Sequence, residues 1–564
     1  MATTILTPTT VWGQFVFEKE IKAETVSEKI SKGLVFTELY IEGRKIGDER
    51  VKIFALSVKK AELGISPAVV IAQKNCDGLD TSLAVDLAKK GYQALLVDFG
   101  GNSGSKEKYT VYPESVSYAN YDEQRANCTE LEKNANESCW YEWTNVFLYA
   151  YKYLQKQSTV DKIGAIAVED FASALWQGAS VAKRLSGVVI ISNAGWMGYK
   201  GINKFAETEP PMFSDDAVRF IAGVDSQSYA MHVKCPLYLV APTNSPAYDV
   251  DRAYDTVSAV NTDIYTAVDY SIGNREAVDY KCYQNILRFF DATLKLGKDK
   301  KINLPEETAI KADFEDGKIV IEVTPDGSDL KKVELFSAED TLEPELRTWQ
   351  MLKGKQKTED GKFIFEYTPY KDSANAMFFA RSEYQSGFRV CSNIICKKLA
   401  KEEIDGEHRY RILYSSRIQD GRRYFAPYRE NENKPTGIAI DADTPVVVEK
   451  KGAFDMTGLY CRGGLLTFKI GAKKYRPHDD EMMMLDVYIK DGGEAEVNLI
   501  CDFYGEHVLY TARKRINAGV WQNIKFELAE FKSKEGMPLK TYKKVEAVQI
   551  YSASEFLINN VLWV

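Results

Sequence analysis

The run Lys162-Ile-Gly-Ala-Ile-Ala-Val-Glu-Asp-Phe-Ala-Ser-Ala-Leu-Trp176 carries an apolar strand, Ile163 to Val168, straight into a helical stretch that is clear from Ala174 onward. A tight turn at such a junction lifts one side chain clear of the sheet, which is how a nucleophile is presented for covalent catalysis. At the centre of this turn stands Glu169, with Asp170 beside it. The turn is strained and the flanking strand and helix approach closely, so the residues two positions to either side need to be small. Ala167 meets that need and Phe171 does not. A carboxylate can act as nucleophile, but a base must then activate water to release the product. Ser173, the only serine near the turn, has Phe171 and Leu175 two positions away and reads as a capping or packing residue in the first turn of the helix.

The elements that must position this turn repeat one pattern. Pro67 to Ala72 is a short buried strand, and Ala88 to Gly101 reads as a helix end with a glycine stop leading into a second apolar strand. Gly187 to Ser192 and Pro236 to Ala241 repeat the strand signal with helical segments between. Strands alternating with helices imply a mostly parallel sheet with helices on both faces.

In order and spacing these segments resemble the α/β-hydrolases of the dienelactone hydrolase and acetylxylan esterase type, over residues 8 to 398. The resemblance implies a Gly-x-Ser-x-Gly elbow, for which this chain has Ala167-Val-Glu-Asp-Phe171. It implies a catalytic acid in the loop Pro242 to Asp249, where the register falls on Ser245. It implies a histidine in the loop Ser271 to Ala277, where the matching position is Asn274. An oxyanion-hole turn of the His-Gly-Gly type is replaced by Gln73-Lys-Asn-Cys-Asp-Gly78. The four histidines, His232, His408, His478 and His507, all lie elsewhere. A triad works as a unit, so Glu169, Ser245 and Asn274 are read as degenerate triad positions of an inactive esterase with a binding role. The alternative is a carbohydrate esterase with divergent catalytic residues, in which Glu169, or Asp170 shifted by one, is the nucleophile.

With 73 basic and 81 acidic residues in 564, the net charge is −8, which argues against nucleic acid or an anionic membrane as partner. The sequence has no apolar run of about 18 residues. The opening residues lack the basic and apolar regions of a secretory signal. Nine cysteines without CxxC spacing point to reduced thiols in a cytoplasmic protein rather than to a disulfide framework or a zinc site, and no cofactor is expected. Export would instead allow Cys128 to pair with Cys139. The sequons at Asn127 and Asn136 read as chance matches.

After Leu296 the composition changes. A charged linker ending at Pro305 closes an α/β unit of residues 1–300, and short alternating runs over 306–398 predict a β-sandwich of immunoglobulin-like size. This stretch also resembles the small β domain that follows the core in some of these esterases. Arg347 and Trp349 fit that resemblance and read as a guanidinium stacked on an indole at a strand edge.

Residues 407–564 hold strand patterns without a convincing helix and predict a jelly roll, similar to carbohydrate-binding modules in the closing strand pattern. Sugar binding needs exposed aromatics with polar neighbours; Tyr424, Tyr428, Tyr460, Tyr504 and Trp521 are the ligand-binding candidates, beside Phe425. Asp441, Asp443 or Asp455 could supply oxygen ligands to calcium, although solvated loop carboxylates are the simpler reading and no metal site is assigned. The function expected is noncatalytic binding of a carbohydrate or protein partner. A scaffold or self-assembling homo-oligomer uses the same sandwiches as interfaces.

Overall fold

Six apolar runs in the first 300 residues are buried along most of their length, which requires strands covered on both faces. The computed structural model describes residues 4–73, 78–122, 129–199, 202–206, 212–273, 278–297, 302–327, 329–352, 354, 356–358, 360–370, 373–400, 412–416, 425–427, 447–472, 475–503 and 505–564. Those runs form the parallel part of a nine-stranded sheet. Its strands are β1 (Ala23–Ser31), β2 (Leu34–Ile46), β3 (Glu49–Lys60), β4 (Ser66–Gln73), β5 (Gln93–Asp98), β6 (Val160–Val168), β7 (Leu185–Ile191), β8 (Leu237–Pro242) and β9 (Thr266–Ser271). The spatial order is β1-β2-β3-β5-β4-β6-β7-β8-β9. Strands β1 to β3 are antiparallel to one another and β3 is antiparallel to β5, whereas β5, β4, β6, β7, β8 and β9 run parallel.

Alternate residues of β4 serve opposite cores. Ala68 and Val70 face the helices Cys139–Lys156 and Asp170–Val181, while Val69 and Ile71 face the helices Ser82–Lys89 and Tyr280–Leu294. Each fully buried valine or isoleucine contributes roughly 1.5–3 kcal/mol of transfer free energy. Close packing has a local requirement at Gly164, where a Cβ would lie 2.8 Å from Leu294 Cδ1 and so push the last helix off the sheet.

From Ala309 to Lys398 the chain forms two sheets facing each other across Ile319, Ile321, Leu335, Phe365 and Phe378. The second sheet is apolar on its other side as well. Phe336, Met377 and Phe379 belong to the core of the first unit, with the Phe379 ring 4.7 Å from Tyr270. Two buried arginines pin the units together. Arg347 donates to both carboxylate oxygens of Asp251 at 2.6 and 2.8 Å, and Arg389 donates to Asp269 at 2.9 Å and to Asp279 at 3.0 Å. The Arg347 guanidinium does lie 5.4 Å from the Trp349 ring, but it is fully buried rather than at a strand edge. A charge so deep in the protein needs the Asp251 carboxylate more than an indole face.

The last unit has two sheets in jelly-roll order. One runs Thr457–Tyr460, Phe556–Trp563, Met483–Ile489, Trp521–Phe526; the other runs Leu465–Thr467, Val545–Tyr551, Gly493–Cys501, Val508–Ile516. The strand that starts at Leu465 stops at Thr467 and turns into a short 3₁₀ segment, Lys469–Gly471. Most of the stretch 401–446 lies outside the described residues.

Candidate functional site

Strand β6 ends at Val168 and the next helix begins at Asp170, leaving Glu169 alone at the apex. Its backbone sits at φ 50° and ψ −123°, a region that only glycine enters without strain. Three hydrogen bonds hold it there. The Glu169 N–H donates to Ile191 O at 2.9 Å, and the Glu169 carbonyl accepts from the Ala172 N–H at 3.0 Å and from Asn193 Nδ2 at 3.0 Å. The sheet order, with β4 and β5 exchanged, and a strained apex after β6 are together diagnostic. The first unit is an α/β-hydrolase fold.

Within this α/β-hydrolase unit the elbow forms despite Phe171. The ring turns away from the strand into an aromatic cluster, 4.9 Å from Trp143, 5.5 Å from Phe99 and 5.8 Å from Tyr121, and is only 6% exposed. The expectation that a large residue there would disturb the turn is therefore corrected. Side-chain direction, not volume, decides the fit. Asp170 accepts from Tyr121 Oη at 3.3 Å, and Ser173 is buried in the first turn of the helix, where its Oγ accepts from Asn193 Nδ2 at 2.8 Å.

Of the other positions singled out in the sequence, the described ones, Ser245 and Gln73, make packing contacts. Ser245 is 3% exposed and its Oγ accepts from the Ala247 N–H at 3.2 Å. Beside it, Asn244 Nδ2 donates to the carbonyls of Glu345 and Arg347 at 2.9 and 2.8 Å, so the second unit is seated directly on this loop. Asn274 lies outside the described residues, as do Lys74 to Asp77. The flanking Gln73 is buried, with its amide donating to Asp80 O at 2.8 Å and accepting from the Asp80 N–H at 2.9 Å. His232 lines a cavity between the N-terminal segment and the helix ends, and His507 Nδ1 is 2.8 Å from Phe503 O in the last unit.

Of the aromatic ligand-binding candidates, Tyr424, Tyr428 and Tyr504 lie outside the described residues. Tyr460 and Trp521 are on the sheet that contains Met483–Ile489. The Lys450 ammonium sits 3.6 Å from the Tyr460 ring centroid, and the half-buried Trp521 donates from Nε1 to Ala453 O at 3.0 Å. Asp441 and Asp443 are outside the described residues, and Asp455 is exposed with Lys451 at 3.7 Å.

A site that the sequence reading missed lies on the other sheet. Along Gly493–Cys501, Ala495, Val497 and Leu499 point into the sandwich, which turns Glu496, Asn498 and Ile500 outward. The same alternation turns Gln549 and Tyr551 outward from one neighbouring strand, and Thr511 and Arg513 from the other. One end of this outer face is apolar and packs on Leu346 of the middle unit through Leu466, Phe468 and Ile500. At the other end is a cavity of about 720 Å³, with the loop carrying Lys532 to Gly536 as its wall. Asn498 Nδ2 donates to Glu496 Oε1 at 2.8 Å and to Gln549 Oε1 at 2.7 Å, Thr511 Oγ1 donates to Asn498 Oδ1, and Arg513 Nε donates to Glu496 Oε2 at 2.7 Å. Tyr551, 36% exposed, also lines the groove. A floor of aligned amides and hydroxyls with one exposed ring can exchange hydrogen bonds with a polyhydroxylated ligand.

No protein-family model matches the chain, and no curated protein matches it. Among solved structures, acetyl xylan esterase 1 from Thermoanaerobacterium sp. JW/SL YS485 is similar at 11% identity and a TM-score of 0.38, over 48% of this chain and 87% of that one. An acetyl xylan esterase from Paenibacillus sp. R4 is similar at 12% identity and TM-score 0.38, over 51% of this chain and 92% of that one. Pyrococcus horikoshii acylaminoacyl peptidase is similar at 13% identity and TM-score 0.33, over 50% and 57%. Among the described residues, no helix is long and apolar enough to cross a membrane.

Proposed function

We propose that this chain is a noncatalytic carbohydrate-binding protein, with the ligand site in the jelly-roll groove and the α/β-hydrolase unit retained as a scaffold. The observation that carries this reading is the outer face of the sheet, where Glu496, Asn498, Thr511 and Gln549 form one hydrogen-bonded floor beneath an open groove. Polar side chains on a solvated strand face need not interlock; here they are already oriented, which lowers the entropy lost when a ligand replaces some of those bonds. Support for the scaffold role comes from the aromatic cluster around Phe171 and from the seating of the middle unit on the Ser245 loop.

The test is affinity electrophoresis and calorimetry of the full chain against a panel of soluble polysaccharides. Saturable binding at roughly micromolar to millimolar Kd is expected for such a shallow site, with Asn498→Ala and Tyr551→Ala each weakening it. Unchanged binding in both variants, or no binding to any polysaccharide, overturns this assignment. One observation favours a second reading as a carbohydrate esterase, the activity named for two of the solved structures above: Glu169 still occupies the strained apex where a nucleophile is presented. Under that reading p-nitrophenyl acetate or acetylated xylan is turned over and Glu169→Gln abolishes the turnover; under ours, hydrolysis stays at the buffer level.

A further inference from the structure

A cavity of about 740 Å³ lies at the ends of the helices Cys139–Lys156 and Asp170–Val181, closed on one side by the N-terminal segment. Its volume is that of a small-molecule site. One part of the lining is aromatic. Phe15 and Phe17 are half-buried with centroids 5.0 Å apart, and Phe17 lies 6.2 Å from Tyr151. The other part is cationic, with Lys152, Lys183 and Arg184 around the opening and no aspartate or glutamate among the described lining residues.

We propose that this cavity binds a small amphipathic anion, an aromatic or aliphatic body carrying one carboxylate or sulfonate headgroup. In a chain with 81 acidic and 73 basic residues, three cations around one cavity without a carboxylate are unbalanced, and a bound anion supplies the missing charge. The Lys152 ammonium donates to Gln155 Oε1 at 2.8 Å and lies over the Phe17 ring, 5.1 Å from its centroid, so the cation and the aromatic surface adjoin. Burial and the charges of Lys156 and Arg184 also make its protonated form less favourable than that of an ordinary lysine. An anion between the cations relieves that repulsion, while Phe15, Phe17 and Tyr151 take the apolar body. The competing reading is that these cations only complement the C-terminal ends of the two helices.

Calorimetry with 4-phenylbutyrate and its neutral isostere 4-phenylbutyramide on the full chain separates the two. We expect saturable binding of the acid with a Kd of about 0.1–1 mM and binding of the amide at least about tenfold weaker, since only the acid gains the charged hydrogen bonds. Lys152→Met and Arg184→Gln should each weaken the acid about fivefold to tenfold, Phe17→Ala should weaken acid and amide alike, and Lys29→Met on the exposed strand β1 should change neither. Equal affinity for acid and amide, or no saturation by about 10 mM acid, overturns the proposal. So does a lowered melting temperature in Lys152→Met and Arg184→Gln with unchanged Kd, which assigns the cations to the helix ends alone.

Discussion

The strain at Glu169 makes a measurable demand on the folded state. With φ at 50° and ψ at −123°, the residue occupies a region that costs a side-chain-bearing residue about 1–3 kcal/mol. Glycine avoids that cost but loses more backbone freedom on folding, an offset of about 0.5–1 kcal/mol relative to alanine. Glu169→Gly should therefore be more stable than Glu169→Ala by about 1 kcal/mol, the reverse of the ranking of these two residues in the interior of a helix. Comparing glycine with alanine removes the carboxylate from both sides of the difference, and Glu169→Ala against the parent chain reports that carboxylate separately. A chain of several packed units need not unfold in one step, so the transition to follow is the one carried by Trp140, Trp143 and Trp176. All three are fully buried in the α/β-hydrolase unit. Urea unfolding by tryptophan fluorescence gives the midpoints, and an unchanged m-value shows that stability alone has moved. Glycine equal to or less stable than alanine would refute the strained elbow and with it the register that puts Glu169 at its apex.

Glu169→Ser, alone or with Ser245→Asp and Asn274→His, should give no more than marginal hydrolysis of p-nitrophenyl acetate, because triad members act together and position 245 is buried beneath the second unit; robust turnover by the single variant would reveal an unrecognised base. Arg347→Met strands the fully buried Asp251 carboxylate and should cost about 3–5 kcal/mol by chemical denaturation, most of it recovered in Arg347→Met/Asp251→Leu; equal loss in the single and double variants would contradict the pairing. Burial pushes the Asp225 carboxyl up to about 7, although it accepts N–H bonds from Gly198 and Gln227. The native state then holds this proton more tightly than the unfolded chain, so the stabilisation is complete below pH about 4 and is lost as pH rises through about 7, at up to about 1.4 kcal/mol per pH unit. Asp225→Asn should flatten that part of the stability profile, and an identical slope in both proteins would show that Asp225 does not titrate there.

The parallel strands were legible because burial on both faces writes long apolar runs into the chain, as in Ile163 to Val168, and the elbow was legible because strand and helix signals meet at one residue. Phe171 was misjudged because residue type carries volume but not direction, and only the packed structure provides Phe99, Trp143 and Tyr121 as its surroundings. Arg347 was read with its neighbour Trp349, while its main partner, Asp251, is 96 positions away. The jelly-roll groove was hidden for a related reason. Glu496, Asn498, Thr511, Arg513, Gln549 and Tyr551 look like ordinary alternation in three separate strands, and they become one surface only when the strands pair. Amides and hydroxyls at outward positions, where lysine and glutamate are common, were the available signal.

The joint between the first two units also limits which sequences this fold can reach next. Asn244 grips two carbonyls of the middle unit and Asp251 grips Arg347, so the loop after β8 is a structural bearing between the two units. An aspartate placed at position 245 would be desolvated and would hold its proton. Uncovering it means loosening Asn244 or Arg347 first, and the latter step alone would consume much of the stability of an ordinary domain. Opening this loop to solvent is thus a change in how the two units are held together before it is a change in the chemistry available at position 245.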